Sequence, residues 1–290
     1  MERKLGVILP RELSNGRSLL YLARETEKMG YDYLVACDHV VLPDQSSRTD
    51  KLKYSLDEQY TDPLTLLAAI AAVTTNIELF TGVMVLPERP TALVARQAAD
   101  VDILSNGKLH LGVGVGWSKD EFEALGEGDT FSCRGKRIEA QITLLRQLWT
   151  QNSVTFTSQH EQLNAVGINP KPVQQPIPVW IGGTDVKVID RTVRLADGWI
   201  PRGKAAMFKD TLSVQFQHAL EVHQRDAISL PVMGKVNVRW EIEENNWQQE
   251  GDDWLRSPLV THLSVGSIGG NNSRLEDHLE ILLKAKNHFK

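Results

Sequence analysis

The chain has 290 residues, a formal net charge of −5 at pH 7, 41% hydrophobic residues and 24% charged residues. This composition predicts a soluble globular protein, and no apolar run approaches the roughly 20 residues that a membrane span requires. Because the chain also has no cluster of Lys and Arg, it is not expected to bind nucleic acid or anionic lipid, and a small molecule is the favoured partner.

The N-terminal sequence MERKLGVILP predicts a first strand rather than a signal peptide, because no small-residue cleavage site follows its apolar residues. The chain has two cysteines, Cys37 and Cys133, which are too few for a disulfide framework and are expected to be inert thiols. These features together predict a cytoplasmic protein.

Short apolar segments rich in β-formers alternate with helical segments along the chain. The helical segments carry start and stop signals, such as Asp62–Pro63 before one apolar helix and Gly107 after the next. This alternation predicts an α/β fold, a (β/α)8 TIM barrel formed by residues 1–290 as a single domain. The predicted strands are 5–9, 33–37, 77–83, 109–113, 178–181, 198–200, 232–238 and 260–265.

Two connections, 40–61 and 151–171, are longer than usual for such a barrel. Barrel active sites are built from the segments that follow the C-terminal ends of strands. Segment 40–61 follows the second strand and is therefore predicted to be a lid or substrate loop. Segment 151–171 contains VTFTSQHEQLNAV, which predicts a structural hairpin at the opposite end of the barrel.

The stretch LHLGVGVGW, residues 109–117, places glycines at the alternate positions Gly112, Gly114 and Gly116. Its G-x-G-x-G spacing and its place after the fourth strand argue against a dinucleotide-binding Rossmann turn, which needs G-x-G-x-x-G after the first strand. Alternate glycines could leave backbone bare for a flat ring, or they could allow close packing in the barrel mouth. The residues alone leave both interpretations open.

Asp38 and His39 end the second predicted strand, at the expected active-site end. A histidine titrates near neutral pH, so His39 could move a proton during catalysis, although a buried structural histidine is the alternative. His110 is expected to be structural, and Glu121 and Glu123 to form a solvated first helical turn. A metal-dependent hydrolase would need further ligands such as a His-x-His pair, which the sequence lacks, so no metal site is predicted.

Gly182, Gly183 and Thr184 follow the fifth predicted strand and open a helix. Free N–H groups at a helix start suit a phosphate. Two observations oppose this interpretation, because Gly183 could serve only as a turn residue and Asp185 would repel a phosphate if it pointed inward.

Several stretches, in the same order, resemble the bacterial-luciferase-like superfamily, particularly its branch that uses the deazaflavin coenzyme F420. The resemblance covers about residues 1–202, and the last third of the chain is similar only in general terms. The stretches are DHVVLP (38–43), YTDPLTLLAAIAAVT (60–74), TGVMVLPERP (81–90), LSNGKLHLGVGVGW (104–117), PIPVWIGG (176–183) and LADGWIP (195–201).

This resemblance implies a luciferase-like barrel whose C-terminal mouth binds F420, or alternatively FMN, with His39 as the acid/base and Trp117 on the substrate side. It also implies a non-prolyl cis peptide at Gly82–Val83 behind the ring, where a simple β-bulge is the alternative. Val115 stands where luciferase has an arginine for the FMN phosphate, which favours F420. The implied cofactor contacts are Asp38, Gly82, Val83, Gly114, Val115, Gly116, Gly182, Gly183, Thr184, Gly198 and Trp199.

The resemblance therefore predicts an oxidoreductase that uses F420 for hydride transfer to or from a small organic substrate. One alternative is an FMN-dependent monooxygenase that uses reduced flavin and O₂ and depends on a flavin reductase as partner. Another is a non-catalytic flavin-binding barrel, because fold does not fix function. A homodimer is expected, since similar barrels pair through helices near the second and third strands and LTLLAAIAAV, within 64–73, is apolar.

Overall fold

The computed structural model describes residues 3–13, 15–49, 51, 54–56, 58–239, 244–269 and 273–289. The strands are β1 (Lys4–Ile8), β2 (Tyr33–Ala36), β3 (Glu78–Thr81), β4 (Met84–Val85), β5 (Leu109–Gly114), β6 (Val154–Thr157), β7 (Gln162–Val166), β8 (Val179–Gly182), β9 (Gly198–Ile200), β10 (Val232–Arg239) and β11 (Val260–Ile268). The helices are α1 (Gly16–Lys28), α2 (Pro63–Ala71), α3 (Thr91–Leu104), α4 (Lys119–Ala124), α5 (Arg134–Thr150), α6 (Val186–Leu195), α7 (Ala205–Met207), α8 (Ser213–Val222), α9 (Glu244–Leu255) and α10 (Leu275–His288).

The main sheet closes on itself as a parallel barrel. Its strand order is β3-β2-β1-β11-β10-β9-β8-β5-β4, and β3 also pairs with β5, which completes the ring. Taken as one interrupted strand, β3 and β4 give the eight positions of a (β/α)8 barrel. The TIM-barrel prediction is therefore confirmed, and β6 and β7 form a separate antiparallel pair.

The barrel interior is filled by aromatic rings at its N-terminal end. Tyr33, Phe80 and Trp180 are buried there, and added Cβ atoms at Gly6 and Gly198 would overlap the rings of Tyr33 and Trp180. The His110 ring stacks on Phe80 with centroids 4.2 Å apart. Burial lowers the pKa of His110 to about 3, so this histidine is a neutral packing group, as the sequence predicts.

The third barrel strand differs from its prediction as one continuous strand over 77–83. The chain leaves β3 after Thr81, forms a cis peptide between Gly82 and Val83, and resumes pairing with β5 at β4. The cis peptide, rather than a simple bulge, is thus the geometry that interrupts the strand. Thr81 Oγ1 donates a 2.7 Å hydrogen bond to the Gly112 carbonyl oxygen, which fastens the interruption to β5.

The predicted hairpin within 151–171 is confirmed as β6–β7, but only part of it lies at the predicted end of the barrel. Its strands leave the C-terminal end of α5, at the opposite end of the barrel from the strand C-termini. Its turn nevertheless reaches the N-terminal ends of α3 and α5, where Thr91 Oγ1 donates to Glu161 and Cys133 Sγ lies 3.2 Å from His160 Nε2. The hairpin therefore spans the outer wall of the barrel instead of staying at one end.

The apolar sequence of α2 is explained by packing within this chain. Leu64, Leu67 and Ile70 are buried in the core between barrel and helices. Asp62 caps the helix by accepting a 2.9 Å hydrogen bond from Thr65 N. Because these apolar side chains are already covered, they do not support a dimer interface, and the homodimer stays a prediction. Among the described residues, no helix is long and apolar enough to cross a membrane.

Candidate functional site

A cavity of about 830 Å³ opens at the C-terminal mouth of the barrel. The predicted site residues that line it are Asp38, His39, Gly82, Val83, Gly114, Val115, Gly116, Trp117, Gly182, Gly183 and Thr184. They come from different strands, and the barrel brings them together because parallel strands end on the same rim.

Gly198 and Trp199 do not line this cavity, and their interpretation as direct cofactor contacts is corrected. The absence of a side chain at Gly198 leaves space for the Trp180 ring inside the barrel. Trp199 is fully buried, stacks on Phe216 with centroids 4.8 Å apart, and donates a 2.9 Å hydrogen bond to the Gly183 carbonyl oxygen. Trp199 therefore influences the cavity indirectly, because its hydrogen bond fixes the position of the Gly183 turn.

The glycines of β5 and β8 make room for Val83. Added Cβ atoms at Gly114 and Gly182 would lie 2.8 Å and 2.7 Å from the methyl groups of Val83, and one at Gly112 would overlap the Thr81 carbonyl oxygen. Close packing therefore occurs at Gly112 and Gly114, and the interpretation of the glycines as a surface for a flat ring stays a prediction. The surface that the interrupted strand presents to the cavity is the Val83 side chain.

Asp38 joins β2 to β4 through an almost completely buried ion pair. Its two carboxylate oxygens each accept a 2.8 Å hydrogen bond from the Arg89 guanidinium, and Oδ2 also accepts a 2.9 Å bond from Val85 N. Burial raises the pKa of Asp38, and the neighbouring Arg89 opposes that rise. Because both oxygens are engaged, Asp38 positions the strand that carries Val83.

A hydrogen bond to Glu121 fixes the orientation of the His39 ring. The Nδ1 atom of His39 lies 3.0 Å from Glu121 Oε2, and Glu121 Oε1 accepts a 2.6 Å hydrogen bond from Val40 N. Burial acts to raise the pKa of Glu121, but the hydrogen bonds from His39, Val40 and Val41 outweigh it and hold this pKa below its usual value. The ionised carboxylate requires a proton on Nδ1, which leaves Nε2 as the free nitrogen of the neutral ring.

The buried position of Glu121 corrects the expectation of a solvated first turn of α4. Its side chain is only 2% exposed, whereas that of Glu123 is 54% exposed and pairs with Lys119. The acidic sequence after Ser118 looks like an ordinary helix start, so the local pattern gave no sign that one glutamate turns inward.

Aromatic side chains surround the His39 ring. The ring centroids of Tyr60, Tyr54 and Trp117 lie 4.8, 5.2 and 6.0 Å from that of His39. Both tyrosines belong to segment 40–61, so this loop contributes directly to the cavity wall. Residues 50, 52, 53 and 57 of the same loop lie outside the described residues.

Glu88 is a second buried carboxyl group beside this site. Neither of its carboxyl oxygens has a hydrogen-bond partner among the described residues, and Oε1 lies 3.5 Å from where a Cβ of Gly116 would be. Burial, together with the charges of Glu121 and Asp38, raises the pKa of Glu88 to about 9. Glu88 is therefore protonated at neutral pH.

Some of the N–H groups around the helix start after β8 already have hydrogen-bond partners within the protein. Asp185 caps α6 by accepting a 2.9 Å hydrogen bond from Lys187 N, and Gly183 N donates to the Ile200 carbonyl oxygen. Arg202 follows Ile200 by two residues and also lines the cavity, as does Lys204. Positive side chains thus lie on the loop adjacent to the Gly183 turn.

Sequence reasoning missed Arg89, Glu121, Tyr54, Tyr60, Arg202 and Lys235, all of which line the cavity or support its walls. Tyr60 and Arg89 lie within stretches 60–74 and 81–90 that carry the resemblance, but no role was assigned to either side chain, and the other four residues lie outside those stretches. Among the residues that the structure describes, no three His, Cys, Asp or Glu side chains are grouped as a metal site.

The closed barrel, the interrupted third strand and a histidine–glutamate pair at the mouth define a (β/α)8 barrel with a candidate active site at the C-terminal ends of its strands. The sequence profile of the luciferase-like monooxygenase family matches residues 4–246. The chain therefore belongs to the luciferase-like monooxygenase family.

Two relatives illustrate its sequence neighbourhood. An uncharacterised protein of Mycobacterium tuberculosis is 33% identical over 190 residues, which are 63% of this chain and 64% of that protein. The match thus spans just under two thirds of the length of that relative. Pyrimidine monooxygenase RutA of Pseudomonas syringae is 25% identical over 260 residues, 85% of this chain and 70% of the relative.

Two solved structures share the fold at low sequence identity. An F420-dependent secondary alcohol dehydrogenase in complex with an F420–acetone adduct superimposes with a TM-score of 0.79 at 14% identity, over 100% of both chains. EDTA monooxygenase from Chelativorans sp. BNC1 gives a TM-score of 0.72 at 13% identity, over 98% of this chain and 94% of the other. These neighbours include both F420-dependent enzymes and monooxygenases, and the likeness concerns the fold.

Proposed function

We propose that the protein is an F420-dependent oxidoreductase that transfers a hydride to or from a small organic substrate. The observation that carries this proposal is the placement of His39, held by Glu121, on the same cavity as the Val83 surface. The cavity volume of about 830 Å³ lies within the range of about 300–1,000 Å³ found for sites of small molecules and cofactors.

A tricyclic ring fits the cavity by its chemistry as well as its size. Val83 offers an apolar surface, and Gly114 and Gly182 on either side of it carry no side chain that would displace it. Val115 cannot pair with an FMN phosphate as an arginine would, which favours the deazaflavin. We assign Gly183, Thr184 and Arg202 to the phosphate of its tail, with Arg202 offsetting the negative charge of Asp185.

When bound, the deazaflavin supplies the carbon that accepts or donates the hydride. His39 moves the accompanying proton through Nε2, which takes it from an alcohol during oxidation or returns it to a carbonyl during reduction. Glu121 fixes the tautomer of His39 and stabilises the imidazolium that forms. Tyr54, Tyr60 and Trp117 exclude water around the ring of His39.

The proposal is tested by titrating the purified protein with F420 and with FMN. We expect tighter binding of F420, together with oxidation of secondary alcohols by oxidised F420 or reduction of activated alkenes by reduced F420, without FMN. Tighter binding of FMN would overturn the choice of cofactor without affecting the family assignment.

A second candidate is an FMN-dependent monooxygenase supplied with reduced flavin by a reductase. It is favoured by the 25% identity to a pyrimidine monooxygenase over 85% of this chain. Its test is oxygen uptake with free reduced FMN, and no uptake above the rate without protein would remove it. A barrel that binds F420 or FMN but turns over neither would be the non-catalytic binder.

A further inference from the structure

Lys235 lies across the barrel from Val83. Counting the barrel strands from β1, with β3 and β4 as one, Val83 belongs to the third position and Lys235, on β10, to the seventh. In a ring of eight strands these positions are opposite each other. Lys235 is level with Ser264 of β11, and both residues line the cavity.

The ammonium group of Lys235 has no hydrogen-bond or ion-pair partner among the described residues. The side chain is exposed to the cavity, and the protein around it still lowers its pKa, first by reducing its hydration and then through the positive charges of Arg11 and Arg202. The neighbouring thiol of Cys37 does not balance the charge, because burial raises the pKa of Cys37 and keeps the thiol neutral. An unpaired cation on the wall of a cavity gains a charge-assisted hydrogen bond when an anion enters.

The acidic side chains on the cavity wall are already engaged elsewhere. Asp38 is paired with Arg89, Asp185 caps α6, and Glu250 accepts a 2.6 Å hydrogen bond from Ala205 N. The described part of the lining thus offers Lys235 no carboxylate of its own. A ligand that enters the cavity can supply the counter-charge that the described lining does not.

We propose that the substrate carries a carboxylate or phosphate group and that Lys235 is the counter-ion of that group. This inference rests on the proposed function, since a ring lying against Val83 leaves the Lys235 side of the cavity to the substrate. It narrows the substrate class from small organic molecules in general to organic anions. The other possible source of the anion is the phosphate of the cofactor tail, which the experiment separates.

The test uses the full chain saturated with whichever cofactor it binds, and also the chain without cofactor. Binding of benzoate and phenyl phosphate is compared with that of benzamide and benzyl alcohol, which are similar in size but uncharged, by calorimetry. The variants are Lys235→Met, Lys235→Arg, which keeps the charge, and Lys209→Met, which removes an exposed lysine outside the cavity.

We expect wild type and Lys209→Met to bind an anionic probe at least about tenfold more tightly than its uncharged counterpart. Lys235→Met should lose this preference, and Lys235→Arg should retain most of it. No preference in wild type, or an unchanged preference in Lys235→Met, would overturn the proposal. If Lys235→Met does not fold, the polar variant Lys235→Gln takes its place in the same comparison.

Cofactor binding is measured separately in the same variants, with FMN against riboflavin and F420 against its phosphate-free core. We expect Lys235→Met to leave these affinities within about twofold of wild type. A selective loss of the phosphorylated forms would assign Lys235 to the cofactor tail and overturn the substrate assignment. Failure of every cofactor to bind would overturn the proposed function, while the probe measurements without cofactor would still test the anion site.

Discussion

At the scale of single residues, the contact between His39 and Glu121 decides what the site can do. Nδ1 of the histidine lies 3.0 Å from a carboxylate that is itself held by backbone N–H groups. An imidazole fixed in this way always presents the same nitrogen to the cavity, as the proton transfer proposed for His39 requires.

Replacing Glu121 with Gln should therefore lower turnover by about 10- to 100-fold, because the amide neither fixes the tautomer nor stabilises the imidazolium. His39→Ala should be at least as inactive, with cofactor affinity within a few-fold of wild type. Steady-state turnover and cofactor titration measure both effects. Full activity of Glu121→Gln, with Glu123→Gln as the matched control on the same helix, would contradict the role given to the pair.

Glu88 provides a prediction about pH. Its pKa is raised to about 9 in the folded protein from 4.5 in the unfolded chain, so above pH 4.5 only the unfolded state readily gives up the proton. Folding stability should therefore fall as pH rises from about 4.5 to 9, by up to about 1.4 kcal/mol for each pH unit.

Glu88→Gln removes this dependence while keeping the shape of the side chain. The variant should gain stability over wild type at pH 8 and little at pH 5, which denaturant unfolding at the two pH values measures. If Glu88→Gln gains the same unfolding free energy over wild type at pH 5 and at pH 8, Glu88 is ionised in the folded protein.

At the scale of elements, the interrupted third strand and its two neighbours form one packed unit. Val83 fills the space left by Gly114 of β5 and Gly182 of β8, and Asp38 with Arg89 ties β2 to the same segment. A substitution at any of these positions should disturb the packing of the others, because buried side chains are close-packed.

Gly114→Ala places a methyl group 2.8 Å from Val83 and should cost about 1–3 kcal/mol of the free energy of unfolding and weaken cofactor binding. Adding Val83→Ala removes the clash, so the double variant should be more stable than the sum of the single changes predicts. Unfolding and binding titrations of the four proteins measure this coupling. Gly16→Ala, where an added Cβ meets nothing within 4 Å, is the control, and strict additivity would contradict the packing described.

At the scale of the whole molecule, the cavity is built from the ends of strands that are far apart in the chain. A ligand that contacts them all binds only the folded barrel and should stabilise it. At 100 times its dissociation constant the cofactor should add about 2.7 kcal/mol to the free energy of unfolding. Thermal unfolding with F420, with FMN and with NADH as the control measures this, and no shift with either flavin would contradict the proposed site.

The sequence by itself determined the fold class and eleven of the residues that line the cavity. Strand and helix periods, with caps at Asp62 and Gly107, depend on local chemistry, so they predicted the barrel order correctly. The motifs at 38–39, 82–83, 114–117 and 182–184 lie at strand ends, and a parallel barrel gathers strand ends on one rim whatever its details.

Only the tertiary structure decided which face each side chain takes and what it contacts. Glu121 and Glu123 are two residues apart on one short helix, yet one is buried against His39 and the other is paired in solvent. Gly114 of β5 makes room for Val83 of a neighbouring strand, and Lys235 lines a cavity that no local pattern indicates. These outcomes depend on contacts between residues distant in the chain, and local propensity carries no information about them.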